Sequence, residues 1–350
     1  MNNSINIGIA GLGTIGCGVV NSLLRNKESL KEKYGLDFEI IGVSASNKNK
    51  KRSINLEDFN WYDDPIDLAK DNNIDLVIEL VGGEKGIAYD LAIETINNKK
   101  GFITANKALL STNGKILSEL SCKNNVFFGY EAAVAGGIPI IKTLKSGLFL
   151  DKINNIFGIL NGTSNFILSR MNSANKSFED ALSEAQELGY AEADPSFDIN
   201  GMDAAHKLSI LSAISFGEFP SLENTSVTGI EKIQTIDHKY AKEFGYKIKL
   251  IGKSSLIEGN ISKEISPMLV KEDGSLGTVE GVSNVVCVNT DHNGTLILEG
   301  EGAGEGPTSA SVLSDIVDFA QGIKGHLFNK SFDDLYDSTN NNETSKRCYY

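Results

Sequence analysis

Residues 5–16 read INIGIAGLGTIG: a short apolar run, glycines at 11, 13 and 16, then a stretch with Val19, Val20, Leu23 and Leu24 at helical spacing. A turn of this kind between a strand and a helix has few uses. Gly11 permits the tight bend, Gly13 the close approach of backbone to a ligand, and Gly16 the packing of helix on strand. The free N–H groups at the helix start, at Thr14 and Ile15, suit phosphate. The expectation is a dinucleotide pyrophosphate on Gly11, Gly13, Thr14, Ile15 and Gly16; the alternative is a glycine-rich turn that binds nothing.

The neighbouring segments support a parallel sheet. FEIIGVSAS, DLVIELVGG, GFITA and NVFFGYEA are continuous apolar strands separated by helical stretches such as AYDLAIETINN, a pattern that needs helices on both faces. Residues 1–135 therefore predict an α/β, doubly wound domain of Rossmann type. The chain has 350 residues, more than one core of about 250–300 residues accommodates. A second unit is expected over 136–300, where a connecting helix in GIPIIKTLKSG, further helices and a separate set of strands predict an α+β substrate and dimerisation domain. GEGAGEGPTSASVLSDIVDFAQG then leads from glycines, Gly304 among them, into a helix over 301–328 that should return to the nucleotide domain. Residues 329–350 read as a polar tail that frays. The sequence has no internal repeat.

Preference between dinucleotides is set at the end of the second strand, where an acid would take a ribose 2′-hydroxyl. Ser44 to Arg52 reads SASNKNKKR, with no acid. Hydroxyls, lysines and an arginine suit a 2′-phosphate, so NADP is expected to be preferred, with NAD possible. The formal charge of −13 argues against nucleic acid or an anionic membrane as partner, so any anionic ligand must be held by local donors. No apolar run is long enough to span a bilayer, and the start MNNSINIGIAG lacks a signal peptide's regions. Cys17, Cys122, Cys287 and Cys348 stand singly, and His206, His238, His292 and His326 are isolated, so a cytoplasmic protein without zinc is expected. Cys17 reads as a small packing residue in the phosphate turn.

Residues 185–207, AQELGYAEADPSFDINGMDAAHK, place Glu192, Asp194, Asp198, Asp203 and Lys207 directly before the apolar LSILSAISF. Asp203 and Lys207 are four apart, the spacing of an ordinary helical ion pair contributing roughly 0.2–0.5 kcal/mol. They also fall where solvated surface meets core, where titration is most easily perturbed.

This stretch resembles the signature of the homoserine dehydrogenases: A-x3-G-aromatic-small, an Asp-Pro pair, an x2-D-I-x-G-x-D run and a closing lysine. GLGTIG, TANKALL at 104–110, EAAVAGGIPII at 131–141, GILNGTSNFIL at 158–168 and EGAGEGPTSASVLSDI at 301–316 are similar to that family in the same order, over about residues 5–325. The resemblance implies NAD(P)-dependent interconversion of L-homoserine and L-aspartate 4-semialdehyde, on the route to threonine, methionine and isoleucine. It implies catalytic roles for Lys207 as proton donor, Lys107 and Asp203. It implies substrate contacts at Glu192, Asp198, Asp203 and Lys107, with Gly162 and Thr163 available for the substrate carboxylate. Cofactor contacts extend to Asn106, Lys107 and Gly304. A sodium or potassium ion is implied at Glu131 and the carbonyls of Val134, Gly136 and Ile138, and a homodimer is expected.

The chemistry can be built independently of the resemblance. Aldehyde reduction needs a hydride on one carbonyl face and a proton on the oxygen, so an acid must stand beside nicotinamide and substrate. Lys207 amid carboxylates keeps its proton. From pattern alone, Lys107 could equally decorate a helix, and Glu131 could be a helix N-terminal charge. Two alternatives stay open: a dinucleotide-sensing regulator without chemistry, which would have no need of Lys207, Glu192 and Asp203, and a reductase of another amino-acid semialdehyde. With no room for a regulatory domain in 350 residues, threonine feedback through one is not expected.

Overall fold

Strands that carry no polar face must be covered on both sides, and the first half of the chain does this. The computed structural model describes residues 4–337. Strands β1 (Ile5–Ala10), β2 (Phe38–Ser44), β3 (Asn60–Tyr62), β4 (Leu76–Glu79), β5 (Gly101–Thr104) and β6 (Phe128–Gly129) form one parallel sheet in the order β3-β2-β1-β4-β5-β6. β4 and β5 are buried along their whole length. The order reverses between β1 and β4, so the carboxyl ends of these two strands open a crevice, the place where doubly wound sheets bind ligands.

The glycines of the phosphate turn have the separate positions their spacing requires. Gly11 has φ +98°, and a Cβ there would lie 2.4 Å from the Leu80 carbonyl oxygen. A Cβ on Gly16 would lie 1.9 Å from the Gly11 oxygen, so the helix Thr14–Tyr34 sits directly on the turn. Gly13 faces open space. Val19, Val20 and Leu23 of that helix are buried against Ile7, Ile9 and Ile40.

A second sheet follows: β7 (Ile153–Ile159), β8 (Thr225–Val227), β9 (Tyr246–Ile257), β10 (Asn260–Lys271), β11 (Ser283–Thr290) and β12 (Gly294–Glu301), ordered β12-β11-β7-β9-β10-β8. Its pairings are antiparallel except for β8 beside β10. Helices Gly162–Ala174 and Met202–Phe216 pack on this sheet, and Met202–Phe216 also meets the nucleotide-side helix Lys107–Asn124. It is buried on nearly every side. That explains how Asp203 and Lys207 leave solvent without leaving the helix. The last long helix, Glu305–Ala320, returns to the first sheet: Val312 and Ile316 join the core of β1 and the Thr14–Tyr34 helix.

Some elements differ from the expectation. The segment expected as one connecting helix has an α-helical turn at Ile140–Lys142 and a wider π turn at Thr143–Gly147. The edge strand β3 and the helix Thr235–Glu243 were not anticipated, the strand because three residues are too few for a period to register. The fraying expected beyond Phe328 is not found through residue 337. Leu335 is buried, Phe332 stacks near Phe219 with ring centroids 5.4 Å apart, and Tyr336 accepts a hydrogen bond from the Phe219 N–H at 3.0 Å. These few apolar side chains anchor a segment whose polar average concealed them. The rest of the expected tail, with Cys348, lies outside the described residues.

Candidate active site

Met202–Phe216 begins without a side-chain cap, at Gly201 with φ +87°. Its first turn carries Asp203 and its second Lys207. Lys207 Nζ donates to Asp203 Oδ2 at 2.8 Å and to the Leu160 carbonyl at 2.7 Å. An ammonium has three protons, so two have protein acceptors and the third has none among the described residues. Lys107, first residue of the helix Lys107–Asn124, brings its ammonium to 3.1 Å from Asp203 Oδ1. One buried carboxylate thus bridges lysines that hang from different sheets.

Burial alone would push the Asp203 carboxyl up. The charges of Lys207 and Lys107, with hydrogen bonds from Lys207 and Asn161, outweigh it and hold the group well below the usual carboxylate range. Asp198 goes the other way. It is half-buried, and desolvation raises it despite an Asn161 hydrogen bond, with Asp203 adding repulsion. Asn161 donates to both, at 2.7 Å to Asp198 Oδ1 and 2.8 Å to Asp203 Oδ2, while its own oxygen accepts from Ser164 N at 2.7 Å. It is therefore both the N-cap of Gly162–Ala174 and the spacer between two acids. The N–H groups of Gly162 and Thr163 at that helix start have no protein acceptor among the described residues, and Thr163 Oγ1 donates to the Tyr190 carbonyl at 2.7 Å. The Tyr190 end of the acidic loop is thereby tied to the same helix start. Glu192 stands two residues beyond, exposed, and among the described residues only its carbonyl is engaged, by Gln186.

Contacts across the chain complete the site, and pattern reading did not single them out. Asn284 donates to the Leu160 carbonyl at 3.2 Å, so it shares the acceptor of Lys207. A Cβ on Gly302 would lie 2.1 Å from the Asn284 side chain, so the glycine turn before Gly304 closes on that network. His206 Nδ1 lies 2.5 Å from Ser111 Oγ, one turn after Lys107, and stacks near Phe197 at 5.4 Å. Burial lowers the His206 pKa, with Lys107 adding to the effect. A neutral imidazole thus joins the two lysine helices. Asn161 could have been found as a capping residue before a helix; Asn284 and His206 have no local signal.

The nucleotide end is built from backbone. The helix Thr14–Tyr34 has no side-chain cap and no acid in its first turn. Its first N–H groups and positive dipole end are therefore free for an anion, beside the open space at Gly13. These residues fit a pyrophosphate. Asn106 caps the Lys107 helix through Leu109 N at 3.0 Å and donates to the Gly83 carbonyl at 2.7 Å. In the loop after β2, Lys48, Lys50 and Lys51 are exposed. Arg52 is committed to carbonyls: Leu12 at 3.2 Å, Lys50 at 2.9 Å and Asn47 at 2.6 Å. It ties this loop to the phosphate turn.

Glu131, Val134, Gly136 and Ile138 lie together in a buried loop in which Ala135 and Gly136 are both left-handed, at φ +57° and +51°. The Glu131 carboxylate accepts from Ile141 N at 2.9 Å and Lys142 N at 2.8 Å, and its pKa is pushed up to about 7, by burial first. The Gly136 carbonyl accepts from Ser311 Oγ at 2.6 Å, and that of Ile138 from Ile140 N at 2.7 Å.

With this geometry in hand, the kinship of the chain can be stated. A homoserine dehydrogenase family model matches residues 139–317, and the NAD-binding domain model of the same family matches residues 11–131. The homoserine dehydrogenase of Neisseria gonorrhoeae is 44% identical over 91% of this chain and 72% of its own length. That of Helicobacter pylori is 42% identical over 92% and 75%. The crystal structure of a homoserine dehydrogenase from Thiobacillus denitrificans superposes with a TM-score of 0.90 at 40% identity, covering 96% of this chain and 79% of that one. A hyperthermophilic archaeal homoserine dehydrogenase in complex with NADPH superposes with a TM-score of 0.78 at 25% identity, covering 93% and 100%. A dinucleotide crevice opening on a buried acid with two lysines, and matches to both family domains, together establish that the chain belongs to the homoserine dehydrogenases, nicotinamide-dependent oxidoreductases of amino-acid biosynthesis.

Proposed function

We propose that Lys207 is the proton donor and acceptor in the interconversion of L-homoserine and L-aspartate 4-semialdehyde, with Asp203 as the carboxylate that orients it. The observation that carries this reading is the pairing of Asp203 with both lysines. The bound dinucleotide supplies or takes up the hydride. In reduction, the one Lys207 proton without a protein acceptor goes to the aldehyde oxygen; in oxidation, Lys207 takes the hydroxyl proton back. Lys107 holds nicotinamide and substrate against each other. Asp198 and Glu192 take the substrate ammonium, and the free N–H groups of Gly162 and Thr163 take its carboxylate. The nucleotide-binding unit is residues 1–135, the substrate unit 136–300, and 301–328 closes back on the nucleotide side.

Gly11, Gly13, Thr14, Ile15 and Gly16 hold the pyrophosphate in this reading, and Asn106, Lys107 and Gly304 line the nicotinamide end. We assign a preference for NADP, supported by the acid-free loop 44–52 with its exposed lysines and by the NADPH bound to the archaeal relative. A monovalent cation fits the loop of Glu131, Val134, Gly136 and Ile138, where neutral carbonyls dominate and one carboxylate keeps lone pairs beyond its two backbone donors. The second sheet carries exposed apolar side chains, Ile257, Leu269 and Ile297, which suit a homodimer. Among the described residues no helix is long and apolar enough to cross a membrane, and the three described cysteines are free thiols; both suit work in the cytoplasm.

Replacing Lys207 with alanine should lower kcat by roughly 10²–10⁴ and leave dinucleotide affinity nearly intact; a variant with the kcat of the parent protein removes the role. Homoserine oxidation, which needs Lys207 as a base, should accelerate from neutral to alkaline pH, and aldehyde reduction, which needs it as an acid, should slow; matching flat profiles in both directions would contradict the assignment. Comparing kcat/KM on homoserine with the two dinucleotides should favour NADP by about tenfold or more, since a placed cation pair discriminates by 1–2 kcal/mol; parity or the reverse order rejects the preference. Light scattering and thermal melting in sodium, potassium and choline salts should give a dimer throughout and a melting point raised by the small cations. A monomer, or a melting point indifferent to the cation, counts against the corresponding assignment.

A further inference from the structure

The carboxylate of Glu79, the last residue of β4, is fully buried at the reversal point of the nucleotide sheet. Its Oε1 accepts from Val81 N at 2.7 Å and Gly82 N at 2.8 Å, and its Oε2 from Thr104 Oγ1 at 2.6 Å. Thr104 Oγ1 in turn accepts from Asn106 N at 2.9 Å, so the hydroxyl proton is left for Glu79. Every one of these groups donates, so both carboxylate oxygens are engaged as acceptors. Among the described residues no lysine, arginine or histidine forms an ion pair with it. A buried negative charge is costly without a counter-ion, and here only dipoles balance it.

The same contacts reach both halves of the cofactor crevice. The 80–82 backbone that Glu79 holds is the surface against which Gly11 packs: a Cβ on Gly11 would lie 2.4 Å from Leu80 O and 2.9 Å from Val81 N. Through Thr104 the chain continues to Asn106, which grips the Gly83 carbonyl and caps the helix that starts with Lys107. With the nicotinamide beside Lys107 as proposed, the Asn106 cap of the Lys107 helix joins that end of the crevice to this network. Oxidised nicotinamide carries a positive charge and reduced nicotinamide does not.

We propose that Glu79 is a positioning residue with an electrostatic role: its buried, uncompensated carboxylate favours the oxidised over the reduced dinucleotide and so sets the balance of hydride transfer on the protein. The proposal rests on the reading that the nicotinamide lies beside Lys107 and Lys207. If that placement were wrong, it would show separately, as a Lys207→Ala variant with unchanged kcat.

Glu79→Gln is close to isosteric. Its amide oxygen can accept from Val81 and Gly82 and its amide nitrogen can donate to the second lone pair of Thr104 Oγ1, so the charge goes at the cost of the acceptor for the Thr104 proton. Equilibrium titration of the full chain with NADP⁺ and with NADPH, without substrate, is the test. Glu79→Gln should weaken the oxidised form about tenfold and the reduced form less than about twofold, as loss of one charge in a low-dielectric site predicts. Thr104→Val keeps the charge and breaks the link to Asn106, so it should weaken both forms by the same factor and leave their ratio at the parent value. The proposal is overturned if Glu79→Gln weakens both forms equally or neither. It is also overturned if Thr104→Val shifts the ratio as far as tenfold, an arm that decides the matter even where Glu79→Gln does not fold.

Discussion

One buried carboxylate holds the two halves of this molecule in register. Asp203 belongs to a helix of the second sheet, and its oxygens are divided between Lys207 on the same helix and Lys107 on a helix of the first. At the surface the Asp203–Lys207 spacing would be worth a few tenths of a kcal/mol. Buried, the same contact obeys a different rule: taking away one partner leaves a charge that nothing solvates, at a cost of about 3–5 kcal/mol. The pairing therefore resists any slide of one sheet against the other. The short His206–Ser111 contact, one turn further along both helices, reinforces it without adding charge. Fold and candidate chemistry are linked here, because the lysine proposed to give the proton is held by the group that fixes the gap between the halves.

Much of this was legible in the sequence, and the division follows range. The phosphate turn is a local object: strand, glycines and helix are contiguous, so Gly11, Gly13 and Gly16 could be assigned separate tasks before any tertiary contact was known. Lys207 and Asp203 were also legible, being four residues apart on one helix. Asn284, which shares the Leu160 carbonyl with Lys207 across 124 residues, leaves no trace in any window of sequence. Glu79 was hidden in another way, since in IDLVIELVGG it reads as a polar interruption of an apolar run. The packed segment through residue 337 was misread because composition averages over many polar residues, whereas Phe332 and Leu335 suffice to anchor the backbone.

The negative surface and the anionic cofactor are reconciled by geometry. A chain with 46 acids against 33 basic residues cannot attract a dinucleotide by its average field. Local donors are what the crevice offers instead: a helix start with no acid in its first turn and a glycine facing open space. Arg52, the one arginine of the loop after β2, bonds to carbonyls and so braces that loop on the phosphate turn. Lys50 and Lys51 beside it are exposed, while the Lys48 ammonium lies over the Trp61 ring. A rigid loop carrying mobile ammoniums differs from a mobile loop carrying a fixed guanidinium, and the first loses less on binding because its backbone is already ordered.

The two acids that share the Asn161 amide show how the same arrangement could drive substrate capture. Asp203 is over-compensated by two ammoniums and held far below the usual carboxylate range, while Asp198, only 2.7 Å from the same amide nitrogen, is raised by burial and by the charge of Asp203. Environments that push neighbouring acids apart separate their tasks. Asp203 gains nothing from a further cation. Asp198, by contrast, is a carboxyl raised by burial and by Asp203, so the ammonium of the proposed substrate would relieve a penalty there. In the proposed function, an ammonium at Asp198 would screen the repulsion between the two acids and leave Asp203 its hold on Lys207. Binding at one acid would then steady the proposed proton donor held by the other.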